Sequence, residues 1–283
     1  MGLNIPRVLS VTIDMIRGRF FRLLALWLLF VIFQLAGLML VGAFTGVSAM
    51  VGGMTDSAAG MGGLGAATIA VMVIFYVAYF YIYAAQSVSM SAAASPLLQP
   101  EFGITLSRGF RGGLSLLCVY ILLMIGYLIV SVALGLLVGI LAFLGDAGTI
   151  LGVIILLPAL LYLACRLSLL APVIAVDGVS NPVGVIARTW QLTAGNAFKI
   201  FIALVVYSLF AIVLVGMILA VFWGSFSDMT VTETMSNPAV IVSLTLVFVF
   251  VMIVLSVAGS ALFSVLHSEL TDSDTARLGR TFE

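Results

Sequence analysis

The sequence predicts an all-α polytopic membrane protein with six transmembrane helices arranged as three hairpins, each preceded by a cytoplasmic interfacial amphipathic helix. Three observations predict this fold class. Hydrophobic residues make up 64% of the 283 residues and charged residues only 8%, whereas soluble domains contain about 25% charged residues. Six apolar segments are long enough to cross a bilayer. The basic residues all lie towards one side of the membrane that these segments would cross.

The six apolar segments define the predicted spans. A bilayer core takes about 20 residues of α-helix, and each segment reaches that length. Their approximate ranges are 23–44, 66–94, 114–144, 148–171, 198–226 and 238–266. The first follows a basic stretch, but it is longer than the roughly 7–15 apolar residues of a signal peptide. We therefore interpret it as an uncleaved first span.

The basic residues set the predicted orientation. With the N-terminus in the cytoplasm, the cytoplasmic segments contain all 11 lysines and arginines, and the outer loops contain none. The outer loops carry only acidic residues: Asp56, Asp146, Asp228 and Glu233. Because basic residues concentrate on the cytoplasmic side of membrane proteins, we expect both termini in the cytoplasm.

The predicted spans form a single domain over 1–283. The three segments that precede the odd-numbered spans resemble one another. Each follows a proline and reaches a glycine: Pro6 and Gly18, Pro100 and Gly112, Pro182 and Gly195. Apolar residues at helical spacing predict interfacial helices over about 4–17, 101–111 and 182–194, with basic residues at the lipid headgroups. The alternative is that any loop leading into a span is basic and amphipathic.

Arginines in these segments are candidate contacts for anionic lipid headgroups. Each basic residue near an anionic membrane surface contributes about 1 kcal/mol of binding. The candidates are Arg7, Arg17, Arg19, Arg22, Arg108, Arg111 and Arg188. The expected partners are lipids of the cytoplasmic leaflet and other membrane proteins. The net charge of zero argues against nucleic acid as a partner.

One charged residue, Arg166, lies within an apolar run, about 8 Å inside the cytoplasmic end of span four. It either reaches the headgroups by snorkelling or faces the bundle as a structural anchor. In the second case it would bond the backbone freed by Pro172 or pair with Asp177. Binding of a substrate is a third interpretation. Gln86 in span two and His267 at the end of span six are polar residues at comparable positions.

The stretch over residues 166–201 has a recognisable order of residues. An arginine is followed six residues later by a proline, then by an acidic residue and a helix of the form A-x-[ST]-W-x-L-T-x-G. The matching residues are Arg166, Pro172, Asp177, Ala187, Thr189, Trp190, Leu192, Thr193 and Gly195. This order resembles the six-span bacterial family that includes the YciC-type inner-membrane proteins and the membrane domain attached to some glycerophosphoryl diester phosphodiesterases.

The resemblance implies a bacterial inner-membrane protein with a non-catalytic role in the envelope. The chain departs from the family pattern at Thr189, where serine is usual. We expect no phosphodiesterase domain after span six, since only about 17 residues remain. That enzyme holds a metal with several histidines and carboxylates, and this chain has 1 histidine. Hydrolase activity is therefore not expected here.

The sequence predicts no catalytic, metal or cofactor-binding residues, and no cofactor. Cys118 and Cys165 lie in apolar runs without metal-ligand spacing. No serine lies in a GxSxG elbow, and Arg166 is the only ionisable residue deep within a span. We therefore predict that the protein is not an enzyme. A membrane enzyme would need titratable groups that converge in one pocket.

Two functions remain after these exclusions. The first is a non-enzymatic integral inner-membrane protein, an envelope scaffold or accessory subunit that organises partners or lipids. The alternative is a transporter, channel or lipid-translocating protein. That alternative requires a hydrophilic cavity that reaches the middle of the membrane. Its expected lining residues are Gln86, Arg166, Ser87, Ser89 and Ser168.

Glycine and proline patterns predict how the spans pack and bend. Pro158 predicts a kink in span four. Glycines four residues apart allow close approach of two helices, and we expect them to pack within the bundle. The three glycine pairs are Gly42 and Gly46, Gly135 and Gly139, and Gly148 and Gly152.

Overall fold

The computed structural model describes residues 3–54, 58–98, 101–143, 145–226 and 237–281. No described residue belongs to a β-strand. The helices are α1 (Ile5–Met54), α2 (Ala58–Ala94), α3 (Phe102–Ala142), α4 (Asp146–Leu167), α5 (Leu170–Pro172), a π-helical turn (Val173–Asp177), α6 (Pro182–Leu192), α7 (Ala197–Phe226) and α8 (Pro238–Thr281). Pro100, Asp56, Asp228 and Glu233 lie outside the described residues.

Six stretches of the described chain are long and apolar enough to cross a membrane. They are Ile5–Gly46, Thr68–Ala94, Phe102–Ile140, Ile150–Asp177, Ala197–Ala220 and Val240–Asp272. A helix satisfies its own backbone hydrogen bonds, which is the condition for crossing lipid. The all-α, six-span fold class is confirmed, and the chain is a multi-pass membrane protein.

The three segments expected as separate helices before the hairpins differ in the structure. Helix α1 runs from Ile5 through Gly18 into the first span without a break, and α3 runs likewise through Gly112. A glycine inside a helix costs only about 1 kcal/mol relative to alanine, so these two glycines do not end helices that their neighbours support. Only the third segment forms a helix of its own, α6.

Helix α6 has a defined start and a defined end. The side chain of Asn181 accepts a hydrogen bond from the backbone N–H of Val183 at 3.1 Å, and Pro182 occupies the first turn. Both features favour helix initiation. Beyond the helix, Gly195 has a φ of 73°, a left-handed conformation that glycine adopts without strain. The chain therefore turns sharply between α6 and α7.

Most of the buried core lies at one end of the bundle, which we call the basic end. It consists of the starts of α1, α3 and α7, the ends of α2, α4 and α8, and helices α5 and α6. In α3, every buried side chain of the described part lies between Thr105 and Val119, and in α2 the buried side chains begin at Ala84. Towards the opposite end the apolar side chains face outward, as expected for surfaces that contact lipid.

Helices α2 and α3 approach each other closely at the basic end through glycines. A Cβ atom added at Gly113 would lie 2.9 Å from the Cα of Ala85, and one at Gly109 would lie 2.7 Å from the Ala85 carbonyl oxygen. Real side chains do not tolerate such distances to backbone atoms. The small residues therefore set the separation of these two helices, as in other membrane proteins.

The glycine pairs selected from the sequence behave differently from Gly109 and Gly113. A Cβ atom would meet nothing within 4 Å at Gly42, Gly46, Gly135 or Gly139. The expected close packing at these two pairs is wrong, because their helices are separated there. Gly148 and Gly152 of α4 are buried.

Candidate functional site

Arg166 is buried where the end of α4 meets α6, with 8% of its surface exposed. Its Nη1 donates to the carbonyl oxygen of Trp190 at 2.8 Å and to the hydroxyl of Thr193 at 3.2 Å. Its guanidinium carbon lies 4.2 Å from the centroid of the Trp190 ring and 5.5 Å from that of Tyr162. Of the alternatives left open by the sequence, the structure shows a side chain that faces the bundle and does not snorkel.

These contacts make Arg166 a cap for α6. The Trp190 carbonyl belongs to the last turn of the helix, where carbonyl oxygens lack a donor within the helix. A cation near a helix C-terminus also interacts favourably with the helix dipole, and the Trp190 ring adds a cation–π contact. The Thr193 hydroxyl accepts from Arg166 while it donates to the Thr189 carbonyl at 2.8 Å. Arg166 therefore joins span four to α6.

Asp177 does not pair with Arg166, although that pairing was one expectation from the sequence. Its Oδ2 accepts a hydrogen bond from Nε of Arg188 at 3.1 Å. Its Oδ1 lies 3.1 Å from Nε2 of His267, within ion-pair distance but without hydrogen-bond alignment. His267 is fully buried, and its Nδ1 has no hydrogen-bond partner among the described residues. One carboxylate thus joins the π-helical turn to α6 and α8.

The other residues of the sequence motif shape the backbone around these contacts. Pro172 is buried immediately before the π-helical turn, and Thr189 is fully buried in α6. Gly195 forms the left-handed turn that leads into α7. Arg166 does not bond the backbone near Pro172, because its donors are directed at α6. All nine motif residues lie at the basic end, where they connect spans four, five and six.

Some of the arginines predicted to contact lipid headgroups make contacts within the protein. Arg7 forms an ion pair with Glu269 at 3.0 Å, and Arg188 is bonded to Asp177. Arg19 is bonded to the backbone at the end of α2. Five of the seven are exposed: Arg7, Arg17, Arg22, Arg108 and Arg111.

Arg19 is a structural residue that the sequence does not reveal. Its Nη1 donates to the carbonyl oxygens of Ala93, Ser95 and Leu98 at 2.8, 2.8 and 3.0 Å. These carbonyls lie in the last turn of α2 and directly after it, so Arg19 caps α2 as Arg166 caps α6. The acceptor residues lie 74 to 79 positions after Arg19 in the sequence, so no local sequence pattern indicates the contact.

A central cavity of about 680 Å³ lies between the helices, next to the packed core. Each of the six span-forming stretches contributes to its wall. Its larger polar groups belong to two glutamines and four tyrosines: Gln34, Gln86, Tyr79, Tyr83, Tyr120 and Tyr207. Five serines also line it, and none of its lining residues within the described part of the chain is an Asp, Glu, Lys, Arg or His. The cavity is therefore polar but uncharged.

Only some of the residues that the sequence predicted for a cavity line the central cavity in the structure. Gln86, Ser87 and Ser168 line the central cavity, but Arg166 and Ser89 do not. Ser89 is fully buried where α2 meets α3, and Arg166 faces α6. The sequence did not indicate Gln34, whose Nε2 donates to Oε1 of Gln86 at 3.0 Å.

The fourth span is interrupted at the floor of the central cavity. Helix α4 continues through Pro158, where a kink was predicted, and ends at Leu167. The interruption comes instead before Pro172, which has no N–H to donate to the carbonyl one turn earlier. Ser168 and Pro172 both line the cavity. Irregular backbone at membrane depth is tolerated only inside protein or beside a water-filled cavity.

In the described part of the chain, no three His, Cys, Asp or Glu residues are grouped so that they could hold a metal ion. No protein-family model matches the sequence, and neither the curated proteins nor the solved structures give a significant match. The candidate sites are therefore interpreted from their own geometry.

Proposed function

We propose that this chain is a non-enzymatic integral protein of the bacterial inner membrane, with both termini in the cytoplasm, that organises anionic lipids and partner proteins at its basic end. The family resemblance and the one-sided distribution of 11 basic residues support this proposal. The observation that carries it is the division among the arginines at the basic end. Some brace the helices, and Arg17, Arg22, Arg108 and Arg111 remain exposed.

The exposed arginines are well placed to recruit anionic headgroups. They lie on α1 and α3, two helices that both pack against α2. Each basic residue near an anionic surface contributes about 1 kcal/mol. Arg19, Arg166 and Arg188 donate hydrogen bonds to acceptors inside the protein and support the helices there.

Replacement of all four exposed arginines by glutamine tests this proposal. We expect the variant to fold but to retain less anionic phospholipid after purification in mild detergent, as measured by lipid mass spectrometry. A single substitution, Arg108→Gln, tests one of these arginines alone. Its control is Arg7→Gln, which also removes one charge, but from an arginine that is paired with Glu269. We expect Arg108→Gln to weaken lipid binding about fivefold and Arg7→Gln to change it little. Unchanged lipid content in the fourfold variant would contradict the proposal.

A second candidate function is movement of a lipid or solute across the membrane. The central cavity favours it, because a path across the membrane needs polar lining groups and all six span-forming stretches contribute to this cavity's wall. Flux or lipid scrambling in proteoliposomes tests this function. A bulky replacement, Ser168→Trp, should slow it by filling the central cavity. A rate equal to that of protein-free vesicles would exclude it.

A further inference from the structure

We propose that the central cavity is a binding site for an uncharged amphiphile, a molecule with an apolar body and a hydroxyl, ether or amide group that bonds to the Gln34–Gln86 pair. This inference does not depend on lipid recruitment at the basic end. It concerns residues other than the exposed arginines, and it holds whether or not the ligand moves across the membrane.

The unused hydrogen-bonding capacity of the glutamine pair points to a ligand. Gln86 is 7% exposed, and its side chain bonds to Gln34 through a single hydrogen bond of 3.0 Å. A primary amide offers two donors and an acceptor with two lone pairs. The described residues provide no further partner for either side chain, and both line the cavity. The remaining donors and lone pairs of the two amides are therefore available to a ligand in the cavity.

The charge of the cavity wall selects an uncharged ligand. Among the residues that the structure describes, no side chain that lines it is acidic, basic or a histidine. An ion moved into such surroundings would lose its hydration without gaining a counter-charge, which costs several kcal/mol. Hydroxyl or amide groups need only hydrogen bonds, which the glutamines, serines and tyrosine hydroxyls can provide. The exclusion of charged ligands thus follows from the same residues that favour polar ones.

The remaining wall fits an apolar body. Trp27, Val31, Phe248, Met252 and Phe263 line the cavity together with the polar groups. Its volume of about 680 Å³ falls within the range of about 300–1,000 Å³ that is typical of small-molecule sites. A molecule with a single acyl chain and a small uncharged head matches both the apolar and the polar parts of this wall. We therefore identify the ligand class as a neutral single-chain lipid.

Three probes separate these requirements in the full-length protein, reconstituted in nanodiscs. Monooleoylglycerol has the apolar chain and an uncharged head, oleate has the same chain and a charged head, and glycerol has the head alone. We expect saturable binding of radiolabelled monooleoylglycerol only. Saturable binding of oleate with equal affinity would overturn the uncharged class, and equal binding of glycerol would overturn the requirement for an apolar body.

Substitution of the amide groups tests the glutamine pair itself. We expect Gln34→Leu and Gln86→Leu each to weaken monooleoylglycerol binding about tenfold. Gln191→Leu is the matched control, because Gln191 is exposed on α6 and does not line the cavity. Thermal unfolding and gel filtration identify any variant that misfolds, and Gln86→Asn provides a milder change at the same position. Wild-type affinity in both leucine variants would overturn the proposal.

Discussion

At the residue scale, the basic end combines contacts that hold the helices together through charged side chains. Arg19 and Arg166 each donate to backbone carbonyls at the end of a helix. Asp177 joins Arg188 and His267. Charged groups are costly inside a membrane protein unless they are paired or hydrogen-bonded, and each of these side chains has such a contact.

Replacement of Arg166 by leucine tests the role of the cap. The change leaves the Trp190 carbonyl and the Thr193 hydroxyl without their donor, and hydrogen bonds to charged groups contribute about 2 kcal/mol each. We expect the free energy of unfolding in detergent to fall by at least about 2 kcal/mol. Arg166→Lys should recover part of the loss, since it keeps the charge but not the planar group that contacts the Trp190 ring.

The matched control is Arg108→Leu, because Arg108 is exposed at the same end of the bundle. We expect that variant to unfold nearly as the wild type does. Equal stability of the Arg108 and Arg166 variants would show that the buried contacts of Arg166 do not stabilise the fold.

At the element scale, the sequence predicts the spans well and their interruptions poorly. Hydropathy over about 20 residues is a local property, so the six apolar stretches are visible without any structure. The break before Pro172 and the continuity through Gly18 depend on which neighbours support the backbone. The same is true of Arg19, whose acceptors lie more than 70 residues away. Such contacts have no signature in a local window of sequence.

The contact between α2 and α3 gives a second prediction at this scale. A side chain at position 113 would collide with the backbone of Ala85, so Gly113→Leu must push the two helices apart. Overpacking of this kind costs about 1–3 kcal/mol. We expect a matching loss of stability in thermal or denaturant unfolding.

Gly126→Leu is the control on the same helix. A Cβ atom at Gly126 would meet nothing within 4 Å, and leucine has a higher helix propensity than glycine. We expect unchanged or slightly increased stability. If both substitutions destabilise the protein to the same degree, the close approach at Gly113 is not what the substitution disturbs.

At the scale of the whole molecule, the structure separates a charged, packed end from an uncharged cavity. The sequence predicts the first part because basic residues cluster in recognisable segments. The cavity could be predicted only in part, through Gln86, Ser87 and Ser168. Its other lining residues depend on the rotation of each helix about its axis, which hydropathy does not define when nearly every face is apolar. Gln34 and Tyr207 are examples, since both lie in long apolar runs.

The central claim is that the basic end faces the cytoplasm, where its exposed arginines meet anionic lipid. Single cysteines at position 108 and, in the opposite predicted loop, at position 228 test this orientation in a Cys118→Ala/Cys165→Ala background. We expect a membrane-impermeant maleimide to label the Arg108→Cys variant in inverted vesicles but not in intact spheroplasts, with the reverse for Asp228→Cys. Labelling of Arg108→Cys in intact spheroplasts would contradict the account.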